Sequence, residues 1–336
     1  MNQVRLLAKA ALQQAAATFG PHRRRAGAPR LWILMYHRVL PKHDSRTQLE
    51  EPGMWVSPET FERHIGWARE FLEPVALGAW VRAIVNGQEV PRRAFAVTFD
   101  DGWRDNHEYA LPILRATGTP ATLFAVAGLT GTARSFWPNR LAQLLARAEE
   151  QGGAARSRIH SVLVPDARAP SADSGPEALS RLVAACKRLE DDEVSRRIDR
   201  LEGELGTVGA GERDLMNWEE LDEMVASGLV EVGSHSFEHR RLRSTTPSPV
   251  LDTEIVESRR VLEDRLGRPV ELFCYPNGDA PDAACERVAE TYRAAVTTRR
   301  GINDPHTPLT RLRRIGVHED VSATRRGFLA RLAGWP

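Results

Sequence analysis

The sequence predicts an α/β fold, and within that class a barrel of about seven parallel strands more readily than an open sheet. Three observations carry this. Strand-like apolar runs alternate with helix-like stretches over most of the 336 residues. The runs number about seven, which suits closure, although periodicity alone leaves an open sheet as the alternative. Ionisable residues gather just after successive apolar runs, at the strand ends where parallel α/β folds place their chemistry.

The elements follow in order. LWILMY (31–36) is a short apolar run read as a buried strand. SPETFERHIGWAREFL (57–72) is helical, with Ser57 as N-cap, Pro58 in the first turn, and Phe61, Ile65 and Ala68 on one face. AFAVTF (94–99) is the next strand, and the helix through HEYALPILRATG ends at Gly118. ATLFAV (121–126) is the third strand. The alternation resumes with helix NWEELDEMVASG (217–228), strand LVEVG (229–233), helix 250–267 and strand VELFCY (270–275). A helix near 281–291, strands RAAVTT (293–298) and LRRIGV (312–317) and a helix over 322–333 complete it.

Residues 130–213 interrupt this rhythm. Helical segments such as NRLAQLLARAEEQ surround a Pro/Ser/Asp/Gly-rich loop, and HSVLV (160–164) is the one candidate strand. The stretch reads as an inserted helical subdomain, expected to lean over the cleft and narrow specificity. The resulting organisation is an N-terminal segment 1–30, a barrel from 31–129 and 214–336, and an insertion 130–213.

Residues 1–30 contain no acid, since the first in the chain is Asp44. Lys9, Gln13 and Gln14 break the apolar run, so the segment suits neither a signal-peptide core nor a membrane span. It reads as an amphipathic helix and a basic linker. The plain reading is a surface helix or frayed extension; the alternative is peripheral attachment of residues 1–25 to an anionic membrane surface. A formal net charge of +1 gives no push toward nucleic acid. Three cysteines, Cys186, Cys274 and Cys285, do not make a disulfide framework, and the expectation is a reduced, cytoplasmic setting.

The polar residues at strand ends carry the chemistry. LMY runs into His37, AVTF into Asp100-Asp101-Gly102, VEVG into Ser234 and His235, FCYP into Asn277, and RIGV into His318. Singly, each has a structural reading, as a satisfied histidine or an N-cap. Two adjacent carboxylates after a buried strand repel each other and lose hydration. A divalent cation resolves this by taking one as ligand, which frees the other to act as a base. Two histidines and one carboxylate leave open positions on a catalytic metal.

GSHSFEH (233–239) also contains the pattern His235-x-x-Glu238-His239, the H-x-x-E-H of an inverted zinc protease. That site needs a helix through the motif, whereas here a strand leads directly into His235, and the Asp pair would be left unexplained.

TFDDG followed by SHSFEH resembles the first two motifs of the polysaccharide deacetylases (NodB-homology, carbohydrate esterase family 4). MYHRV (35–39) and FCYPNGD (273–279) resemble the branch associated with exopolysaccharide and cell-surface glycans. The resemblance implies a distorted (β/α) barrel. It also implies Asp100 as base, Asp101, His235 and His239 as ligands of a divalent metal, zinc first, and an acetylated oligo- or polysaccharide as substrate. His318 is the expected general acid, and a backbone N–H near Asn277 the expected oxyanion donor. His37, Trp103, Tyr275 and Tyr36 are expected to line the sugar cleft, although for each aromatic a core position is an equal alternative.

The family's R-x-P-Y motif is replaced by Cys274-Tyr275-Pro276-Asn277, so the arginine that steers the base is missing, and Arg314 is the candidate to supply its charge. Two other readings stand beside deacetylation: a non-catalytic glycan-binding protein on the same barrel, and a metal-dependent amidase acting on a small non-sugar substrate.

Overall fold

The computed structural model describes residues 3–24, 27–165, 176–206 and 213–335. Seven parallel strands form its centre: β1 (Arg30–Tyr36), β2 (Arg93–Phe99), β3 (Ala121–Ala125), β4 (Val230–Ser234), β5 (Leu272–Cys274), β6 (Ala294–Arg300) and β7 (Leu312–Gly316). They pair in sequence order and close into a barrel where β1 meets β7 through Leu34↔Ile315 and Met35↔Gly316. The β1–β2 join is the longest, running in register from Arg30↔Arg93 to Tyr36↔Phe99. The β4–β5 join is the shortest, with Ser234↔Phe273 its one register pair. All carboxyl ends therefore open on one side.

Helices pack around this barrel where the apolar stripes predict them. In α2 (Pro58–Arg69) Ser57 Oγ accepts the Thr60 N–H at 3.2 Å, and Phe61, Ile65 and Ala68 are buried. One helix has no counterpart in the sequence reading. This is α3 (Leu77–Val85), which places Leu77, Trp80 and Val81 in one cluster with Leu31 and Ile33 of β1 and Ala94 and Ala96 of β2. In α4 (Leu111–Thr117), Gly118 ends the helix in the left-handed conformation, as expected.

Tyr36, expected at the cleft, instead points away from it. Its ring packs edge-on to Phe61 at 5.1 Å and its hydroxyl meets His64 Nδ1 at 3.1 Å, inside the layer between β1 and α2. At the end of a strand, one residue of register decides between cleft and core.

Between β3 and β4 the chain forms α5 (Trp137–Gln151), α6 (Gly153–Leu163), α7 (Pro176–Cys186) and α8 (Asp191–Leu205). These helices share their own apolar cluster, including Leu141, Leu144, Ile159, Val183, Ile198 and Leu201. HSVLV belongs to α6 and its end, not to a strand. Val162 and Leu163 continue the buried face begun by Ala155 and Ile159, a helical period that a five-residue apolar run cannot reveal by itself. The Pro/Ser/Asp/Gly-rich loop falls largely outside the described residues.

After the insertion the barrel resumes with α9 (Trp218–Ala226), started by a capping box between Asn217 and Glu220, then α10 (Ser258–Leu266) and α11 (Asp282–Thr291). The chain ends on α12 (Arg325–Leu332). The N-terminal helix, α1 (Gln3–Phe19), packs on α12, with Ala17 buried and Leu12 and Phe19 exposed. Among the described residues no helix is long and apolar enough to cross a membrane.

Candidate active site

Strand β2 delivers Asp100 and Asp101 to the open end of the barrel. Adjacent residues of a regular strand would point to opposite faces. Here Asp101 has φ 75° and Gly102 φ 79°, a reversal that turns both carboxylates toward one cavity. The chain stays in that conformation because its neighbours hold it. Trp103 Nε1 donates to Asp101 Oδ2 at 2.8 Å, which leaves Oδ1 free to face the histidines.

Asp100 rests on Arg314 of β7. The guanidinium donates from Nη1 to Oδ1 at 2.6 Å and from Nη2 to Oδ2 at 2.7 Å, while its Nε donates to the Thr297 carbonyl at 3.0 Å. Both residues are buried. Burial pushes the Asp100 carboxyl up, but the Arg314 charge and its two hydrogen bonds outweigh this and hold it below the usual carboxylate range. The charge missing from the R-x-P-Y position is thus present in space, supplied by another strand.

His235 follows β4 directly. Its Nδ1–H donates to the Cys274 carbonyl at 2.8 Å, which fixes the ring and leaves Nε2 facing Asp101 Oδ1 at 3.3 Å. His239 arrives by a tight loop rather than a helix. Ser236 and His239 have φ 67° and 61°, the His239 N–H donates to Ser236 Oγ at 2.9 Å, and buried Glu254 accepts the N–H groups of Phe237 and Glu238 at 3.1 and 3.0 Å. This brings His239 Nε2 to 3.4 Å from Asp101 Oδ1. Burial pushes the His239 imidazole down to about 4, which favours the neutral ring that a metal ligand requires.

These three donor atoms fit one metal ion. Two donors bound at about 2.0–2.1 Å to a tetrahedral ion lie about 3.3–3.4 Å apart. The Asp101–His235 and Asp101–His239 separations of 3.3 and 3.4 Å match that edge. Trp103 and the Cys274 carbonyl hold the outward-facing atoms of two of the ligands, as supporting groups do in metal centres.

The protease pattern is not realised. Residues 235–239 are not helical, and Glu238 turns outward to Arg134, 3.1 Å away.

The remaining expected residues separate into two groups. His37, expected only to line the cleft, brings Nε2 to 3.7 Å from Asp100 Oδ2, and its carbonyl is held by Asn106 Nδ2 at 2.9 Å. His318 does not line the cavity; its Nδ1 faces Asp320 Oδ2 at 3.1 Å and it caps a short helical turn. Trp103 and Tyr275 border the cavity but are buried. Trp103 is committed to Asp101, and the Tyr275 hydroxyl to Cys285 Sγ at 3.4 Å. Asn277 lines the cavity with φ 55°. The four non-glycine residues with positive φ among the described residues, Asp101, Ser236, His239 and Asn277, thus all belong to the strand-end loops that build this site. The cavity they surround holds about 220 Å³. Sequence reasoning missed Glu254 and the neighbouring Arg38, which spans Asp105 and Glu50 and stacks 4.2 Å over Trp103.

Comparison with known proteins agrees with this arrangement. Residues 87–295 match the sequence model of the polysaccharide deacetylases. A stretch of 103 residues, 30% of this chain, is 27% identical to YxkH of Bacillus subtilis (strain 168), provisionally named a polysaccharide deacetylase; the match spans 34% of that relative's length. Similar folds occur in the Streptococcus pyogenes deacetylase PplD, solved in complex with acetate (TM-score 0.58, 19% identity, 88% of this chain and 96% of that one). IcaB from Ammonifex degensii is comparable (TM-score 0.57, 19% identity, 91% and 98%).

Proposed function

The chain belongs to the polysaccharide deacetylase family, and on that premise we propose that it hydrolyses acetyl groups, N-acetyl first, on a bacterial surface or extracellular polysaccharide or its precursor. The observation that carries this reading is one juxtaposition. A carboxylate fixed by a buried arginine, Asp100, lies beside a three-donor metal set, Asp101, His235 and His239.

A divalent ion held by that set, zinc first, would supply Lewis-acid polarisation of a carbonyl and acidify water. The protein's own groups do the rest. Asp100 accepts the proton of the attacking water, and Arg314 keeps it ionised and oriented at neutral pH. Water oxygen adds to the acetamide carbon, the C–N bond breaks, and the products are acetate and a free amine. Two histidines are candidates to protonate the departing nitrogen, His318 from the family resemblance and His37, and we favour His37 because it lines the cavity, with Nε2 3.7 Å from Asp100 Oδ2. A backbone N–H near Asn277 is the proposed donor to the oxyanion. The missing motif arginine lends some weight to a non-catalytic glycan binder; Arg314 on Asp100 supports the catalytic reading.

The test is acetate release from N- and O-acetylated oligosaccharides and short acylated amines, after chelation and again with metal restored. Release from N-acetylated glycans that depends on added metal supports the proposal. Release from the short amines alone would assign a small-molecule amidase, and none from any substrate would assign a binding protein.

We further infer a reducing, cytoplasmic location, with peripheral membrane contact through residues 1–25. Three unpaired buried thiols and the outward Leu12 and Phe19 support this. Cell fractionation tests it, and a periplasmic protein would contradict it.

A further inference from the structure

The chain after His239 reads Arg240-Arg241-Leu242-Arg243, and all three arginines reach the turn between α7 and α8 of the insertion. Arg240 pairs with Asp192 at 2.7 Å, and Arg243 with Glu190 and the Leu189 carbonyl at 2.8 and 2.7 Å. Arg241, itself buried, commits its whole polar end. Its backbone N–H and Nε donate to the Asp191 carboxylate at 2.9 and 2.6 Å, Nη1 to the Lys187 carbonyl at 2.5 Å, and Nη2 to the Leu189 carbonyl at 2.7 Å. The more exposed pairs contribute little, whereas a buried guanidinium left without its acceptors is costly, so Arg241 dominates the joint.

The same turn faces the active site, because the Lys187 side chain lines the cavity whose floor is the metal set. The start of the insertion is tied there as well. The Phe136 ring sits edge-on to His239 at 4.9 Å, and Asn139 Nδ2 donates to Glu50 Oε1 at 3.2 Å. The insertion is thus registered against the site at its start and at its α7–α8 turn, with Trp137 and Asn139 also lining the cavity.

The charges of that cavity point to the ligand. Asp100 is paired with Arg314 and Glu50 with Arg38, while Asp101 and the two histidines are committed to the metal set. Lys187 is the one lysine or arginine lining the cavity among the described residues, and Glu50 and Glu51 line it as well. Four carboxylates, Glu50, Glu51, Asp100 and Asp101, line the cavity against one lysine, which disfavours a polyanion along its walls. What the insertion contributes is an indole, an amide and a single lysine, the mixture of apolar face and hydrogen-bonding groups that suits a neutral sugar ring.

We propose that the insertion is the substrate-selecting wall of the site, with Trp137, Asn139 and Lys187 meeting the sugar units next to the acetylated one in a neutral glycan chain, and that Arg241 is the positioning residue that registers this wall on the metal loop. This rests on the deacetylase reading.

The test uses the full zinc-loaded chain carrying Arg241→Ala, Asp191→Ala, or both. Three quantities are read: metal content, hydrogen exchange at residues 187–193, and kcat and KM on neutral N-acetylated oligosaccharides. In each single variant exchange of the turn should rise about tenfold or more. KM should rise about tenfold while kcat stays within about threefold and zinc is retained. The double variant should be no worse than the worse single one, because both substitutions release the same joint. Arg241→Lys, which keeps the charge without the fork, should fall between wild type and Arg241→Ala and serves if the alanine variant fails to fold. Unchanged KM despite faster exchange, additive losses, or kcat and zinc falling together would each overturn the proposal. Should wild type release no acetate at all, the deacetylase reading fails separately. Calorimetric binding of a neutral N-acetylated trisaccharide then decides, with weaker binding by Arg241→Ala expected and equal binding overturning the wall.

Discussion

Arg314 and Asp100, 214 residues apart in the chain, face each other fork to fork at 2.6 and 2.7 Å beneath the cavity. A lysine at 314 could reach one carboxylate oxygen but not both. Arg314→Lys is therefore expected to lower kcat/KM by about 10–100-fold, a loss of about 1.4–2.7 kcal/mol, and to lower the melting temperature while zinc is retained. Steady-state kinetics, calorimetry and elemental analysis measure these. Activity within twofold of wild type would mean that the fork does not organise the base.

Trp103 is expected to act through the metal rather than through sugar contact. Trp103→Phe keeps a ring under Arg38 but removes the donor to Asp101 Oδ2. Zinc affinity, measured by competition with a chelator, should fall by about 10–100-fold, as for other groups that support a ligand. His235→Ala and His239→Ala should each remove most of the metal, since two donors hold a divalent ion poorly. A Trp103→Phe variant with unaltered zinc affinity and a raised KM would return this residue to the cleft.

His64 makes the fold sensitive to acid. It is buried between Tyr36 and the Ser322 carbonyl and stacks on Phe328 at 4.4 Å. Burial pushes its pKa from the usual 6.5 down to about 4. The ring is neutral in the folded protein, so below pH 6.5 the unfolded chain binds a proton that the folded one does not. Stability from this group is full above pH 6.5 and is lost as pH falls toward 4, by up to about 3 kcal/mol. Denaturant unfolding across that range should show a shallower decline in His64→Gln than in wild type. Parallel curves would show that His64 does not carry the effect.

The barrel strands were legible because each is a short apolar run with a polar residue at its end. The candidate metal set was legible because TFDDG (98–102) and SHSFEH (234–239) are each compact motifs that resemble a family pattern, although more than a hundred residues separate them. Relations across the barrel were harder to read. Arg314 could be suggested from its charge, but its hold on Asp100 depends on closure of β1 onto β7. The candidates for the general acid showed the same limit: His37 and His318 both follow apolar strands, and the direction in which each ring leaves its strand is set by packing. HSVLV was misread because five apolar-rich residues fit a helix face as well as a strand. The Arg241 joint has no local signature, since its partners are carbonyls and acids of a distant turn.

The central claim is that Asp100, not Glu238, takes the proton from water at a site held by Asp101, His235 and His239. Asp100→Asn and Glu238→Gln each remove one charge with little change in shape, so acetate release by the two zinc-loaded variants, normalised to measured metal content, tests it most directly. Glu238→Gln should keep activity within about tenfold, a barrier change of about 1.4 kcal/mol, while Asp100→Asn should retain its zinc and lose about 10²–10⁴-fold, as expected for a lost general base. The reverse pattern, with zinc unchanged in both, would contradict the assignment of the base.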